Sequence, residues 1–325
     1  MGLLVDGKWQ DKWYDTDSTD GEFVREDSRI RNWIGTEYTI PHNAIRFPAR
    51  KDRYHLYVSY ACPWAHRTLI VRMQKQLEKI VSISAVSPIM LEHGWTFNKS
   101  EGSTGDSLYG YEYLHQLYNR HDDEYTGRVT VPVLWDKQTE QIVNNESADI
   151  IRIFNCGFDE FTNSRVDLYP EVLRETIDEI NERIYTTVNN GVYRAGFATT
   201  QRAYECAFVK LFDTLDWLEE SLSTQRFLTG NRLTEADWRL FTTLIRFDTV
   251  YYSHFKTNRR RIEDYPHLSN YLRDLYQIDF VASTTNLLHI KQHYYFSHKT
   301  INPTQIIPLG PDIDYDKPHN REKFA

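Results

Sequence analysis

No stretch of this 325-residue sequence comes near the roughly 20 consecutive apolar residues that span a bilayer. Its opening, Met1-Gly2-Leu3-Leu4-Val5-Asp6, lacks the basic and apolar regions of a secretory signal, and Asp6 stands where a myristoylation signal requires Ser or Thr. Cysteine is scarce. Cys62, Cys156 and Cys206 lie far apart, which is neither a disulfide framework nor the paired spacing of a zinc site. These absences point to a soluble chain in the reducing cytoplasm, with no membrane and no metal. Positive charge is short as well. The formal net charge is −8, and the only dense basic run, Arg259 to Arg261, is followed closely by Glu263 and Asp264, so it reads as a solvated loop. The electrostatic footprint of a nucleic-acid partner is missing. Internal repeats and low-complexity tracts are absent too.

What is present is aromatic. Phe, Trp and Tyr make up 14% of the chain, with 22 Tyr, enough to line surfaces with rings. The length suggests two domains at roughly 150 residues each, divided as 1–165 and 166–325. Residues up to about 50 are polar and punctuated by Trp9, Trp13, Phe23 and Trp33, and read as an arm packed by its aromatics. Tyr54-His55-Leu56-Tyr57-Val58-Ser59 is rich in strand formers. After it, Ala61-Cys62-Pro63-Trp64 forms a turn whose proline suits the first position of a helix. Trp64, Leu69 or Ile70, Met73, Leu77 and Ile80 then recur at helical spacing, and residues 81–86 alternate as a strand, which completes a βαβ unit. Residues 87–127 read as irregular. Val129 to Trp135 reads as a strand with Pro132 inside it, which belongs on an edge, at a bulge or in a cis peptide. Asn145-Glu146-Ser147-Ala148 opens a helix running through Ile150, Ile151 and Phe154. From about 168 to 290 helical periodicity takes over, with a stripe of Val209, Phe212, Leu215, Trp217 and Leu218 and a capping box at Thr234 and Asp237. Residues 299–325 read as an extended tail. An α/β half followed by an all-α half is the expected architecture.

Cys62 carries the chemistry. A strand, a cysteine, a proline and a helix in that order place a thiol at a helix N-terminus, where unpaired amides and the macrodipole favour the reactive thiolate. Cys156 and Cys206 have no such setting. A dithiol oxidoreductase would place its second cysteine where this chain has Ala65, so an internal disulfide cannot resolve an intermediate, and an external thiol must. Glutathione is the natural candidate. Val131-Pro132 suits its cysteinyl peptide unit. The Ser147 hydroxyl with the helix amides suits its γ-glutamyl carboxylate, and Glu146 suits the ammonium. Other signals are set aside. His289, His293 and His298 lack the acid or cysteine that a metal site would add. His55 and His66 read as structural, and Glu219-Glu220 as a solvated face. The thioredoxin-type turn around Cys62 argues against a papain-like cysteine with a distant histidine.

The chain resembles the glutathionyl-hydroquinone reductases, the Xi-class glutathione transferases, along nearly its whole length. The resemblance rests on Tyr57-Val58-Ser59, Ala61-Cys62-Pro63-Trp64-Ala65-His66-Arg67-Thr68-Leu69, Gly94-Trp95-Thr96-Phe97, Arg128 to Asp136, Asn145-Glu146-Ser147-Ala148, Asn189-Asn190-Gly191-Val192-Tyr193, Leu228-Thr229-Gly230-Asn231 and Ser297 to Pro303. It implies a glutathione transferase architecture, in which an α/β thioredoxin-like N-terminal domain precedes an all-α C-terminal domain, and a homodimer. It also implies glutathione as co-substrate, bound through Trp95, Arg128, Val129, Thr130, Val131, Glu146 and Ser147. Three tyrosines complete the implied catalytic set with Cys62: Tyr193 as proton donor or acceptor, Tyr251 and Tyr294 as hydrogen-bonding groups near the sulfur. The implied substrates are glutathionylated aromatic hydroquinones. The rival readings are an omega-type thioltransferase or dehydroascorbate reductase that uses the same cysteine without protonating carbon, a conjugating transferase, which would not want a competing thiolate, and a non-enzymatic transferase-like binding module.

Overall fold

The computed structural model describes residues 2–35 and 43–324; Met1 and residues 36–42 of the expected arm lie outside the described residues. The strands are β1 (Leu3–Val5), β2 (Lys8–Gln10), β3 (Trp33–Ile34), β4 (Arg46–Phe47), β5 (Tyr54–Val58), β6 (Val81–Ala85), β7 (Met90–Leu91), β8 (Gly94–Trp95), β9 (Gly127–Arg128), β10 (Val133–Asp136) and β11 (Gln141–Asn144). The main helices are α1 (Pro63–Gln74), α2 (Leu114–His121), α3 (Ser147–Cys156), α4 (Arg174–Ile184), α5 (Gly191–Gly196), α6 (Gln201–Ser221) and α7 (Glu235–Arg246), with a further helix at Pro266–Tyr276.

Packing groups the chain into two units. The first comprises Met1–Trp13, Glu26–Asp167 and Thr284–Ser297; the second comprises Tyr14–Arg25, Leu168–Ser283 and His298–Ala325. The first unit is built on a four-stranded sheet in the order β11-β10-β5-β6. β5 runs parallel to β6, with Leu56 opposite Ile83, and antiparallel to β10, with Leu56 opposite Leu134. All five residues of β5 are buried, as a central strand covered on both faces requires. The β5-α1-β6 crossover is the expected βαβ unit. α1 stops at Gln74, sooner than its apolar spacing suggested, because Gln76 turns left-handed at φ 57° and the amides of Gln76 and Leu77 close back on the carbonyls of Met73 and Arg72.

Three expectations for this unit change. Pro132 was expected inside a strand, on an edge, at a bulge or in a cis peptide; the Val131-Pro132 peptide is cis, but β10 begins after it, at Val133, and is an inner strand. The arm is more regular than its aromatic punctuation implied. Asp6 and Gly7, at φ 47° and 70°, make a two-residue turn that pairs β1 with β2, and β1 also pairs with β9. A Cβ at Gly7 would lie 1.9 Å from the Asp123 carbonyl oxygen, so the turn needs glycine there. The stretch 87–127 holds the β7-β8 hairpin and α2.

The second unit is helical. In α6, Leu211, Phe212, Leu215 and Leu218 form the buried stripe, but Val209 is 47% exposed, and Trp217 lies beneath the Arg183 guanidinium at 4.0 Å. The capping box is present: Asp237 accepts from the Thr234 amide at 2.8 Å. Glu219 is not a merely solvated charge; its carboxylate accepts from the His267 and Leu268 amides, each at 2.8 Å, and so satisfies two orphan donors of Pro266–Tyr276. The tail is irregular but anchored, since the buried Arg321 guanidinium donates to the carbonyl of Leu222 at 2.7 Å and to those of Gln225 and Arg226.

Candidate active site

Cys62 occupies the N-cap of α1, in extended conformation at φ −75° and ψ 124°, with Pro63 as the first helical residue. The preceding turn is held by Ser59, whose carbonyl accepts from the Cys62 amide at 3.2 Å and whose Oγ accepts from the Ala61 amide at 3.2 Å. The cysteine is 8% exposed, and its Sγ lies 3.6 Å from the Val131 carbonyl oxygen. Donation of S–H to that carbonyl favours the thiol, whereas the helix terminus favours the anion. Burial of the sulfur also favours the thiol, so the helix terminus, worth roughly 0.3–2 kcal/mol to an anion, is the influence here that favours the thiolate. Ala65 is fully buried one turn later. Of the other cysteines, Cys156 donates to the Arg152 carbonyl of its own helix at 3.4 Å and Cys206 is exposed.

The first turn of α3 holds the second group. Glu146 is its N-cap, with Oε1 accepting from the Ala148 amide at 3.0 Å and from the Ser147 hydroxyl at 3.3 Å. Ser28 Oγ donates to the other carboxylate oxygen at 3.1 Å. Ser147 Oγ in turn accepts from Arg67 Nη1 at 3.5 Å, and the Arg67 guanidinium stacks on Trp64, 4.7 Å from its ring. Arg67 is therefore a bridge from α1 to α3. An arginine buried in a helix is a signal that the motif-based reading passed over.

The Arg128–Val131 segment is held mainly through other residues. The Arg128 guanidinium donates to the carbonyls of Lys12 and Trp13, the latter at 3.1 Å, and the Thr130 carbonyl accepts from the Tyr118 hydroxyl at 2.9 Å. Val129 is buried. Trp95 is buried and stacked on His293, with ring centroids 4.9 Å apart, and its indole N–H has no hydrogen-bond partner among the described residues. His293 is fixed by Nδ1 on the Pro88 carbonyl at 2.9 Å, which makes Nδ1 the donor. The sequence offered His293 only as a discarded metal ligand. His289 tilts against Tyr60 at 5.6 Å, while His66 Nε2 meets Thr284 Oγ1 at 2.9 Å. His55 Nδ1 meets Ser82 Oγ at 2.7 Å, and burial lowers its pKa to about 4.

The three tyrosines share one device. Three π-helical turns occur among the described residues, at Tyr185–Asn189, Phe247–Tyr251 and Gln292–Phe296. The second contains Tyr251 and the third Tyr294, and the first leads through Asn190 into α5, which carries Tyr193. A π turn inserts one residue per helical turn and re-aims the side chains beside it, a deformation that concentrates at functional sites. Tyr294 belongs to the first unit, beside His293. Tyr193 and Tyr251 belong to the second, with ring centroids 6.0 Å apart and Phe255 5.5 Å from Tyr193 and 5.4 Å from Tyr251. His254 Nε2 lies 3.2 Å from His298 Nδ1 beside Phe255, and burial lowers the His254 pKa to about 4.

The comparisons with known proteins agree with one another. The family models for the glutathione S-transferase N-terminal domain and C-terminal domain match residues 61–155 and 166–274. The chain is 57% identical to the glutathionyl-hydroquinone reductase YqjG of Escherichia coli, over 99% of both chains. It is 53% identical to the glutathionyl-hydroquinone reductase PcpF of Sphingobium chlorophenolicum, over 96% of both. Among solved structures, the glutathione-bound YqjG superposes with a TM-score of 0.90, at 53% identity over 99% of both chains.

Proposed function

The chain belongs to the glutathionyl-hydroquinone reductases, the Xi-class glutathione transferases, and from that premise we propose that it reductively deglutathionylates glutathionyl-hydroquinones with glutathione as co-substrate. The Cys62 thiolate attacks the ring-bound sulfur. An S–S bond forms, the carbon–sulfur bond breaks, and its electron pair stays on the ring carbon, which takes a proton from Tyr193. Free hydroquinone leaves, and a Cys62-glutathione mixed disulfide remains. A second glutathione, as thiolate, attacks the glutathione sulfur of that disulfide, forming oxidised glutathione and restoring the Cys62 thiolate. The proton that this second glutathione sheds returns to Tyr193.

In this reading the backbone of Val131, with Val129, Thr130 and Arg128, holds the co-substrate's peptide. Trp95 donates its indole N–H, Glu146 takes the ammonium, and Ser147 with the α3 amides takes the γ-glutamyl carboxylate. Tyr251 and Tyr294 supply hydroxyls near the sulfur. We further propose a homodimer working in the cytoplasm. The observation that carries the reading is Cys62 at the N-terminus of α1 with Ala65 in place of a resolving cysteine. The test is to mix the protein with a glutathionyl-hydroquinone and glutathione. Free hydroquinone and oxidised glutathione are expected in equal amounts. Disulfide exchange without hydroquinone release would instead identify an omega-type thioltransferase.

A further inference from the structure

Segment 14–25 runs past the start of α6 before it reaches Tyr193. The Thr199 amide donates to the Gly21 carbonyl at 3.0 Å, and Thr200 Oγ1 donates to the Asp20 carbonyl at 2.9 Å. Gly21 sits at φ 86°, and a Cβ there would lie 2.6 Å from the Thr200 side chain, so this close approach needs glycine. Phe23 then packs into the ring cluster, 5.3 Å from Phe197 and 6.4 Å from Tyr193. Two residues further on, the Arg25 guanidinium lies over the Tyr193 ring, 5.2 Å from its centroid. Arg25 Nε also donates to Asn190 Oδ1 at 3.2 Å, which keeps the guanidinium from swinging away. This bond gives the second asparagine of Asn189-Asn190-Gly191 a task. The first is used differently, donating to the Arg239 carbonyl at 3.0 Å and to Thr243 Oγ1 at 2.7 Å.

Resting on the reading of Tyr193 as the general acid, we propose that Arg25 is a positioning residue for the reaction, whose guanidinium, held over the phenol ring, favours the ionised phenol and so makes Tyr193 a stronger proton donor. Groups that face the ring within this unit include Phe23, Phe197, Tyr251, Phe255 and Arg25. Of these five, only Arg25 is charged at neutral pH. The His254–His298 pair stands behind Phe197 and Phe255, with His254 kept neutral by burial and by Lys256. An opposite charge within about 4–6 Å lowers an acid's pKa by roughly one unit or more, and a catalytic acid works best when its pKa approaches the working pH. An arm residue far from Tyr193 in sequence would thereby tune the acid.

The test is the pH profile of hydroquinone release in Arg25→Gln, Arg25→Lys and Tyr193→Phe, with reduction of a small glutathione mixed disulfide as the control for folding. The alkaline limb, where Tyr193 loses its proton, is expected to move to higher pH by about one unit in Arg25→Gln. Arg25→Lys, which keeps the charge, should bring it most of the way back. A limb at the wild-type pH in Arg25→Gln but absent from Tyr193→Phe would overturn the role of Arg25 and leave the acid intact. A limb that survives in Tyr193→Phe would remove the acid assignment, and the tuning with it. Parallel loss of both activities in Arg25→Gln and in Arg25→Lys would assign Arg25 a packing role instead.

Discussion

The two units present their proposed reactive groups in opposite ways. In the first, Cys62, Glu146 and Ser147 stand at the first turns of α1 and α3, and Val131 stands just before β10, so the proposed groups lie beside backbone amides and carbonyls at element ends. In the second, Tyr193 and Tyr251 are set within a packed cluster of rings, re-aimed by π turns instead of being exposed at termini. Backbone termini act on whatever sulfur or carboxylate occupies them. A phenol in a ring cluster acquires a role only through its neighbours. In the proposed mechanism, nucleophile and co-substrate grip would thus follow from local geometry, and proton supply from packing.

The largest expected effect tests the terminus side of that contrast. Cys62→Ser should abolish both hydroquinone release and disulfide exchange, and turnover at the wild-type rate in that variant would remove the mechanism. Wild-type Cys62 should also alkylate with a midpoint below the free-thiol value of about 8.5; a midpoint at or above it would show that the S–H donation to Val131 outweighs the helix terminus.

Tyr193→Phe tests the cluster side. Loss of a positioned general acid typically costs about 100- to 10,000-fold in the step it assists, whereas a thiolate can leave a disulfide unaided. Hydroquinone release should therefore collapse while reduction of a small glutathione mixed disulfide changes much less. Equal losses would mean that the cluster, too, acts on the sulfur.

Glu146→Ala should weaken glutathione binding by roughly 1–3 kcal/mol in calorimetry, the range for losing a charge-assisted partner. Because Glu146 also caps α3 through the Ala148 amide, the same change should cost about 0.5–2 kcal/mol of stability. Unchanged affinity with lowered stability would reduce Glu146 to a helix cap.

The smallest effect separates the units by the sign of their pH response. Burial raises Asp237, in the second unit, to about 6, above its unfolded value of 3.8. Its contribution to stability is thus present at low pH and lost as pH rises through about 6. Burial lowers His55, in the first unit, to about 4 from 6.5, so its contribution is present above 6.5 and lost as pH falls toward 4. Between pH 7 and 5, the melting temperature of Asp237→Asn should fall further behind wild type, by the equivalent of about 1 kcal/mol. His55→Asn should catch up over the same interval. Parallel pH curves for wild type and both variants would show that neither group is shifted.

Much of the first unit was legible in its residues. The β5-α1-β6 unit, the proline at the start of α1 and the helix opening at Glu146 are short-range features, because a cap or a first-turn proline satisfies or avoids amides within three or four residues of itself. The Thr234–Asp237 capping box was readable for the same reason. The Asp6-Gly7 hairpin had an equally local signature, but it was masked by the aromatic scatter around it.

Other features have no local signature. Pro132 looked like an edge residue because a proline cannot donate within a ladder. Its position before an inner strand depends on β5, which is distant in sequence and covers the edge that β11 leaves open. Glu219 looked solvated because the amides it caps arrive some 48 residues later. Arg67 on Ser147, His293 against Trp95 and Arg25 over Tyr193 join partners 80 or more residues apart. The three π turns each depend on which helix they interrupt and what packs beside it. The residues alone supplied the candidate nucleophile, its place at a helix terminus and the family motifs, since capping and turn chemistry act over one helical turn. Folding in three dimensions settled which charge faces which ring and which side chain steadies which other, because those energies depend on distances that chain order does not contain.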